Sequence, residues 1–316
     1  LAVRDSRQRI VITGAGGWLG LATLELLEDA LGDALPGRVH CFGASPRMLS
    51  LRSGATVEQR PLEQIAELDQ RPTLLLHLAF LTKDRAEAMD EAAYRAANRQ
   101  LSQIVLDDLD RIGAKSVFVA SSGAARFADD PAKSAAMRLY GELKRDDEDA
   151  FAAWAEANAT RAIITRIFNI SGPHGNKLQS YAMSALMLEA MAGRTVAVRA
   201  PHQVVRGYVA IRELMSLVFA LLLDPASGVV RFDTGGEEME LAELASVIAA
   251  LTGGNAERAP LTSDAEDRYV GERTTYEQLL AKHDIATVPL AQQLEETRSD
   301  LARRVKGGDA TVRIRD

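Results

Sequence analysis

The sequence predicts an α/β fold built on a doubly wound parallel sheet, and three observations predict it. Over the first two-thirds of the chain, short apolar runs alternate with longer stretches of helical period. The runs are almost continuously apolar, as strands covered on both faces must be. The first run passes straight into a glycine-rich turn and then a helical pattern, which is how a βαβ unit begins.

Taken in order, "RIVITG" (9–14), "RVHCFG" (38–43), "TLLLHLA" (73–79), "KSVFVASS" (115–122) and "RAIITRIF" (161–168) read as buried strands bounded by turn residues. Helices are expected between them. "LGLATLELLEDAL" (19–31) sets Leu24, Leu27 and Leu31 on one stripe, and "SAAMRLYGELKRDDEDAFAAWAEAN" (134–158) sets Tyr140, Leu143, Phe151 and Trp154 near one face. Beyond about residue 169 helices dominate ("QSYAMSALMLEAMAG", "MELAELASVIAALTG", "VPLAQQLEETRSDLARRV") and strands become brief. A smaller, mainly helical second part over the carboxyl edge of the sheet is therefore expected, where open α/β sheets bind ligands. The tail 306–316 lacks periodicity and is expected to be loose.

At 316 residues the chain can bury a large core in one domain or two closely joined ones. A formal charge of −7 argues against a general nucleic-acid or anionic-membrane surface. Cys41 is the single cysteine, so no internal disulfide can form, and no Cys/His cluster has zinc-site spacing, so no metal is expected. The longest apolar run, "LMSLVFALLL" (214–223), is short for a bilayer. "LAVRDSRQRI" lacks both an initiator Met and the apolar segment of a secretory leader. A soluble, cytoplasmic protein is the expectation.

Three groups of residues carry chemistry. "TGAGGWLG" (13–20) follows the first strand with glycines at 14, 17 and 20, a turn that lets a pyrophosphate approach backbone N–H groups at a helix N-terminus. "MRLYGELKRD" sets Tyr140 and Lys144 four residues apart on one helical face. Neither is an obvious catalyst near pH 7, but a cationic neighbour favours phenolate over phenol. "VFVASSG" places Ser121 and Ser122 at a strand end.

Together these features resemble the short-chain dehydrogenase/reductase family, and the chain length and helical C-terminal part resemble its extended branch, the NAD-dependent epimerase/dehydratase-like, nucleotide-sugar group. The resemblance runs from about residue 9 to residue 300. "LLLHLAFLTK" (74–83) resembles the strand carrying His-Leu-Ala-Ala along the cofactor, with Phe80 in place of the second alanine. Asn98 resembles the asparagine of the next helix, and "RIFNISGPHG" (166–175) an Arg-Pro-Phe-Asn-x-x-Gly-Pro segment of nucleotide-sugar members. The resemblance implies a Rossmann-type NAD(P)-binding domain from 1–168 plus about 205–234, and a substrate-binding part from about 169–204 and 235–305. It implies that Tyr140 exchanges a proton with the substrate oxygen, that Lys144 also holds the cofactor ribose, and that Ser122, with Ser121 in reserve, holds the substrate oxygen. Gly14, Gly17, Trp18, Leu19, Gly20, Leu78, Ala79 and Phe80 would line the cofactor, and Leu62 would pack on the adenine. His77 is read as a core or cofactor-side residue, and His174 and His202 as loop residues.

At the end of the second strand, "VHCFGASPR" (39–47) has Gly43 where an acid would accept from a ribose 2′-hydroxyl, with Ser45 and Arg47 following. NADP(H) is expected, with NAD(H) as the alternative. Asn169, and Arg206 in "VAVRAPHQVVRGYVAIREL" (196–214), resemble residues that contact the diphosphate of a nucleoside-diphosphate sugar. Gly123 and Ala124 stand where the family's dehydratases carry an Asp-Glu pair, so dehydration is set aside. NADPH-dependent 4-keto reduction is the expected activity. The alternatives are an NAD-dependent 4-epimerase, a reductase of a non-nucleotide ketone, and a non-catalytic nucleotide sensor. A homodimer through the Tyr140 helix and the helix before it is also expected, with Phe151 and Trp154 available for that contact or for the core.

Overall fold

The computed structural model describes residues 1–309. It divides into two units, Leu1–Ile167 with Met215–Asp233, and Phe168–Leu214 with the stretch from Thr234 onward.

In chain order, β1 (Arg9–Thr13) is followed by α1 (Trp18–Leu31), the short α2 (Leu35–Arg38), β2 (Val39–Gly43), and a hairpin of β3 (Arg47–Ser50) and β4 (Thr56–Pro61). Next come β5 (Thr73–His77), α3 (Lys83–Ala88), α4 (Glu91–Asp108), β6 (Ala114–Ser122), α5 (Ala135–Ala157) and β7 (Arg161–Ile167). After β8 (Asn169–Ser171) the chain forms α6 (Ala182–Met191), β9 (Val196–Val198), β10 (Gln203–Ala210) and α7 (Ile211–Leu223). The end of α7 and β11 (Gly228–Asp233) belong to the first unit. The remainder is β12 (Glu237–Glu240), α8 (Leu241–Thr252), β13 (Ala256–Arg258), β14 (Glu266–Tyr269), α9 (Arg273–Lys282) and α10 (Leu290–Lys306).

The first unit carries one sheet in the order β11-β7-β6-β5-β1-β2-β4-β3, parallel except for β3. The five strands read from apolar runs all form, because a parallel strand buried on both faces has no polar alternation to obscure it. The β3–β4 hairpin was not among them; β3 is exposed except at Leu49 and β4 is buried only at Gln59, so neither writes an apolar run. β1 pairs with β2 on one side and β5 on the other, with Thr13 opposite His77. The winding direction reverses there, so the carboxyl ends of β1 and β5 mark the crevice where such sheets take ligands.

Val11, Phe42, Leu75, Val105, Val117 and Phe151 pack into the unit's main core. Phe151 is wholly buried there and so cannot serve a dimer contact. Trp154 lies at the edge of the same cluster, and its indole N–H donates to Asp110 at 2.9 Å. Cys41 sits in β2 between Ile12 of β1 and Gln59 of β4, where burial pushes its thiol up to about 12. Ser134 caps α5 by accepting from the Met137 N–H, and Asp90 caps α4 by accepting from that of Ala93.

Helices α6, α8, α9 and α10 supply most of the second unit's regular structure, as expected, and small sheets accompany them: β12, β10 and β14 form one that β8 joins along β10, and β9 pairs with β13. Residues 205–214, expected in the dinucleotide domain, fall instead in the second unit, where β10 pairs with β12, β14 and β8. Met187, Tyr208, Leu244, Ile248 and Leu294 supply its core. Buried Glu213 accepts from the Tyr276 hydroxyl at 2.9 Å and from the Val288 N–H, and desolvation holds its carboxyl above the usual range. Of the expected loose tail, Lys306 ends α10 and Arg304 grips Asp309 at 2.8 Å; residues 310–316 lie outside the described residues. No helix among the described residues is long and apolar enough to cross a membrane.

Candidate functional site

At the crevice, the chain leaves β1 through Gly14, whose φ of +70° suits glycine. A Cβ there would fall 2.7 Å from the Ala79 nitrogen, so only glycine lets this turn lie against the residues that follow β5. Gly20 does the same for α1: a Cβ would fall 2.4 Å from the Ala15 carbonyl oxygen. The helix opens on Gly17 with neither a side-chain cap nor an acid in its first turn. Its N-terminal amides thus suit a pyrophosphate. Trp18 is buried and Leu19 half-buried in that first turn.

The end of β2 holds a residue that sequence reading missed. Gln59, from β4, fills the space beside Gly43, where a Cβ would lie 2.5 Å from its amide carbon. Its amide oxygen accepts from the Gly16 N–H at 3.0 Å, and its amide nitrogen donates to the Ser45 carbonyl at 2.8 Å. The Arg47 guanidinium lies over Gly16, so close that a Cβ on Gly16 would fall 1.6 Å from it. A cation and an amide therefore stand where an acid was absent. Gln59 could not be found from sequence, since only the pairing of β2 with β4 brings it beside Gly43. Leu62 corrects an expectation: at 2% exposure it packs with Phe42 and Ile65 in the core and offers no face to an adenine.

On the other side of the switch point, Thr13 bonds the buried His77 ring at 3.0 Å and accepts from the Ala79 N–H at 3.3 Å. Desolvation lowers His77 to about 4, with Asp147 opposing at 3.7 Å. His77 is thus a neutral core residue beneath the crevice. Asn98 accepts from the Leu81 N–H at 2.8 Å, and Tyr94 donates to the Leu81 carbonyl. These bonds fix the backbone of Leu78, Ala79 and Phe80 from both ends.

Ser122, Tyr140 and Lys144 come from β6 and α5. Gly141 lets the helix rest directly on the turn after Ser122, since a Cβ there would fall 2.2 Å from the Ala124 carbonyl oxygen. Ser122 accepts from the Ala124 N–H at 3.2 Å. Ser121 points to the other face of the sheet and donates to Glu148, which Arg166 holds by two bonds of 2.9 and 2.7 Å. Ser121, the reserve choice, is thus committed to Glu148. Lys144 is 5% exposed and donates to the Ala120 carbonyl at 2.8 Å. Burial lowers its ammonium to about 8, against the opposing pull of Asp147 and Glu148. The Phe80 ring lies 3.6 Å from the Lys144 Nζ and edge-on to the half-buried Tyr140 ring at 5.8 Å. Such a pair, with a readily deprotonated amine next to a phenol, can move a proton to or from a carbonyl oxygen.

Asn169 and Arg206 both lie in the second unit and are bonded within it. The Asn169 amide donates to the carbonyls of Gly207 and Tyr269 at 3.2 and 3.3 Å. Arg206 pairs with the Asp267 carboxylate at 2.5 Å and donates to the Asp267 carbonyl at 2.8 Å. A diphosphate at either residue would have to exchange with these partners. Among the described residues no group of three or more His, Cys, Asp or Glu could hold a metal.

Comparison with known proteins gives a consistent setting. The family model described as "NAD dependent epimerase/dehydratase family" matches residues 10–235. No curated protein matches the chain. Among solved structures, an epimerase from Methanothermobacter thermautotrophicus superposes with a TM-score of 0.72 at 17% identity, over 96% of this chain and 95% of that one. UDP-glucose 4-epimerase from Thermotoga maritima, solved with UDP-glucose, gives 0.70 at 18% identity over 94% and 100%. WbmF from Bordetella bronchiseptica, solved with NADH, gives 0.77 at 15% identity over 99% and 97%.

Proposed function

The chain belongs to the NAD-dependent epimerase/dehydratase family, enzymes of the extended short-chain dehydrogenase/reductase type, and from that premise we propose that it reduces a sugar carbonyl of a nucleoside-diphosphate sugar at C4, using NADPH. The observation that carries the reading is the Tyr140–Lys144 pair on α5, seated on the turn that follows Ser122.

Gly14, Gly17, Trp18, Leu19 and Gly20 would hold the dinucleotide pyrophosphate, and Leu78 and Ala79 would lie along it. Ser45 and Arg47 would take a 2′-phosphate, and Arg47 over Gly16 supports that choice. When bound, the nicotinamide supplies the hydride that reaches the carbonyl carbon. Ser122 donates a hydrogen bond to the carbonyl oxygen and fixes the substrate's orientation. As charge gathers on that oxygen, the Tyr140 O–H bond breaks and its proton moves there, giving the alcohol. Lys144 stabilises the phenolate left behind, and its lowered affinity for a proton eases the refilling of Tyr140. Buried Gly123 and Ala124 supply no acid or base to expel water, which supports redox chemistry over dehydration.

A second reading, a 4-epimerase that keeps NAD and shows no net turnover of it, is favoured by the fold shared with the Thermotoga maritima enzyme. The Arg206–Asp267 pair favours a third, a ketone without a diphosphate. Denaturing purified protein and identifying any released dinucleotide separates the first two: tightly retained NAD overturns the reductase reading, and its absence with micromolar NADPH binding supports it. Arg206→Glu should abolish binding of a nucleoside-diphosphate substrate, whereas a hydrophobic ketone of the third reading would be almost unaffected by it. Tyr140→Phe should keep cofactor binding and lose turnover by at least a hundredfold (general acid–base catalysis is worth about 10²–10⁴-fold).

A further inference from the structure

Phe80 departs from the alanine of the family pattern, and it is the residue that touches both members of the catalytic pair. Its ring centre lies 3.6 Å from the Lys144 Nζ, which is van der Waals contact, so no hydroxyl fits between them. Its ring also meets the Tyr140 ring edge-on at 5.8 Å. The backbone beneath it is pinned by the Ala79–Thr13 and Leu81–Asn98 hydrogen bonds and by the Tyr94 hydroxyl on the Leu81 carbonyl. The ring itself is only half-buried. Side-chain rotation is thus the motion open to it, without any loop movement.

We propose that Phe80 is a displaceable cover on the Tyr140–Lys144 pair, one that competes with the nicotinamide half of the dinucleotide and so makes the cofactor exchangeable at each turnover. The inference rests on the reading that this unit takes a dinucleotide with its nicotinamide ribose against Lys144. The Lys144 ammonium keeps N–H donors beyond the one on the Ala120 carbonyl, but it is 5% exposed with the Phe80 ring centre 3.6 Å away, so a ribose hydroxyl reaches it only once the ring moves aside. A desolvated cation–π contact sets the scale of that competition at about ten- to thirtyfold in affinity. Phe80 is then a positioning residue, acting through Lys144 on cofactor release.

Calorimetric titration of the full chain with NADPH, NADH and ADP tests this. Phe80→Ala should tighten the two dinucleotides by about tenfold and slow their release, whereas Phe80→Tyr, which keeps the ring, should retain wild-type values. ADP has no nicotinamide ribose, and its affinity should be the same in all three proteins. A purely structural role would move ADP and dinucleotides together. Dinucleotide binding by Phe80→Ala that is no tighter than wild type, with ADP unchanged, overturns the proposal. Failure of wild type and variant alike to bind any dinucleotide overturns the functional reading instead, and the proposal with it. Should Phe80→Ala fold poorly, 4-fluorophenylalanine at position 80 gives a second measurement: its ¹⁹F resonance should shift with NADPH and not with ADP, and an unmoved resonance refutes displacement.

Discussion

Lys144 is the residue at which folding and chemistry pull against each other. Burial lowers its ammonium from the usual 10.5 to about 8. Between those two values the unfolded chain holds a proton that the folded chain has released, so stability rises with pH across that window. Below about pH 8 both states are protonated, and the cost of the buried charge is felt in full. Relative to Lys144→Met, the wild type should gain on the order of 3 kcal/mol from pH 8 to pH 10.5, measured by urea denaturation of both proteins. A constant difference would mean that the amine titrates normally. At the other end of the proposed cofactor, Arg47→Asp sets a carboxylate over Gly16 and should shift the NADPH-to-NADH preference at least tenfold toward NADH, read from the ratio of kcat/KM values. An unchanged ratio would remove Arg47 from 2′-phosphate recognition. Tyr140 and Lys144 could be found in the sequence because helical spacing alone puts them on one face. The burial of Lys144, and the ring that covers it, depend on β5 and β6 lying side by side, which no local pattern reveals.

At the scale of elements, the contact that matters most is α5 on the turn after β6. Gly141→Ala would improve helix propensity by about 1 kcal/mol. Its Cβ would meet the Ala124 carbonyl oxygen at 2.2 Å, however, and backbone cannot yield as a side-chain tip can. Overpacking of this kind costs about 1–3 kcal/mol. The variant should therefore be less stable by about 1 kcal/mol and lose turnover as α5 lifts from Ser122; equal stability would contradict the close approach. Central strands such as Ile10–Ile12 and Leu74–Leu76 were legible because burial on both faces writes an unbroken apolar run. β4 was not, since "TVEQRP" is mostly polar, is buried only at Gln59, and carries that residue unannounced. β10 was misplaced for the opposite reason: it is apolar enough to pass for a strand of either unit, and Arg206 meets Asp267 across 61 residues of chain.

For the molecule as a whole, two histidines that fold neutral set the response to acid. His40 and His77 are each lowered from 6.5 to about 4, mainly by burial. The unfolded chain takes up protons at both between pH 6.5 and 4, so their stabilising contribution is complete above 6.5 and lost as pH falls through that range. For the wholly buried His77 this is worth on the order of 3 kcal/mol, and for the half-buried His40 solvent screening leaves less. Urea midpoints should fall steeply from pH 6.5 to 4.5, and His40→Phe should flatten part of that slope; a slope unaffected by the variant would place the acid sensitivity elsewhere. The expected homodimer belongs to this scale too, and with Phe151 in the core it must rest on other residues of α4 and α5. Size-exclusion chromatography giving a monomer mass would refute it. The fold class was readable because it depends on the order of apolar runs, whereas the makeup of the second unit depends on which distant strands meet. Finally, Cys41 is the chain's one thiol, and it lies buried on a face of the large sheet, in a strand paired on both sides. An alkylating reagent can reach it only when the packing over that face opens, so the labelling rate of the native protein is a clock for that opening, and cofactor that closes over the adjoining crevice should slow it.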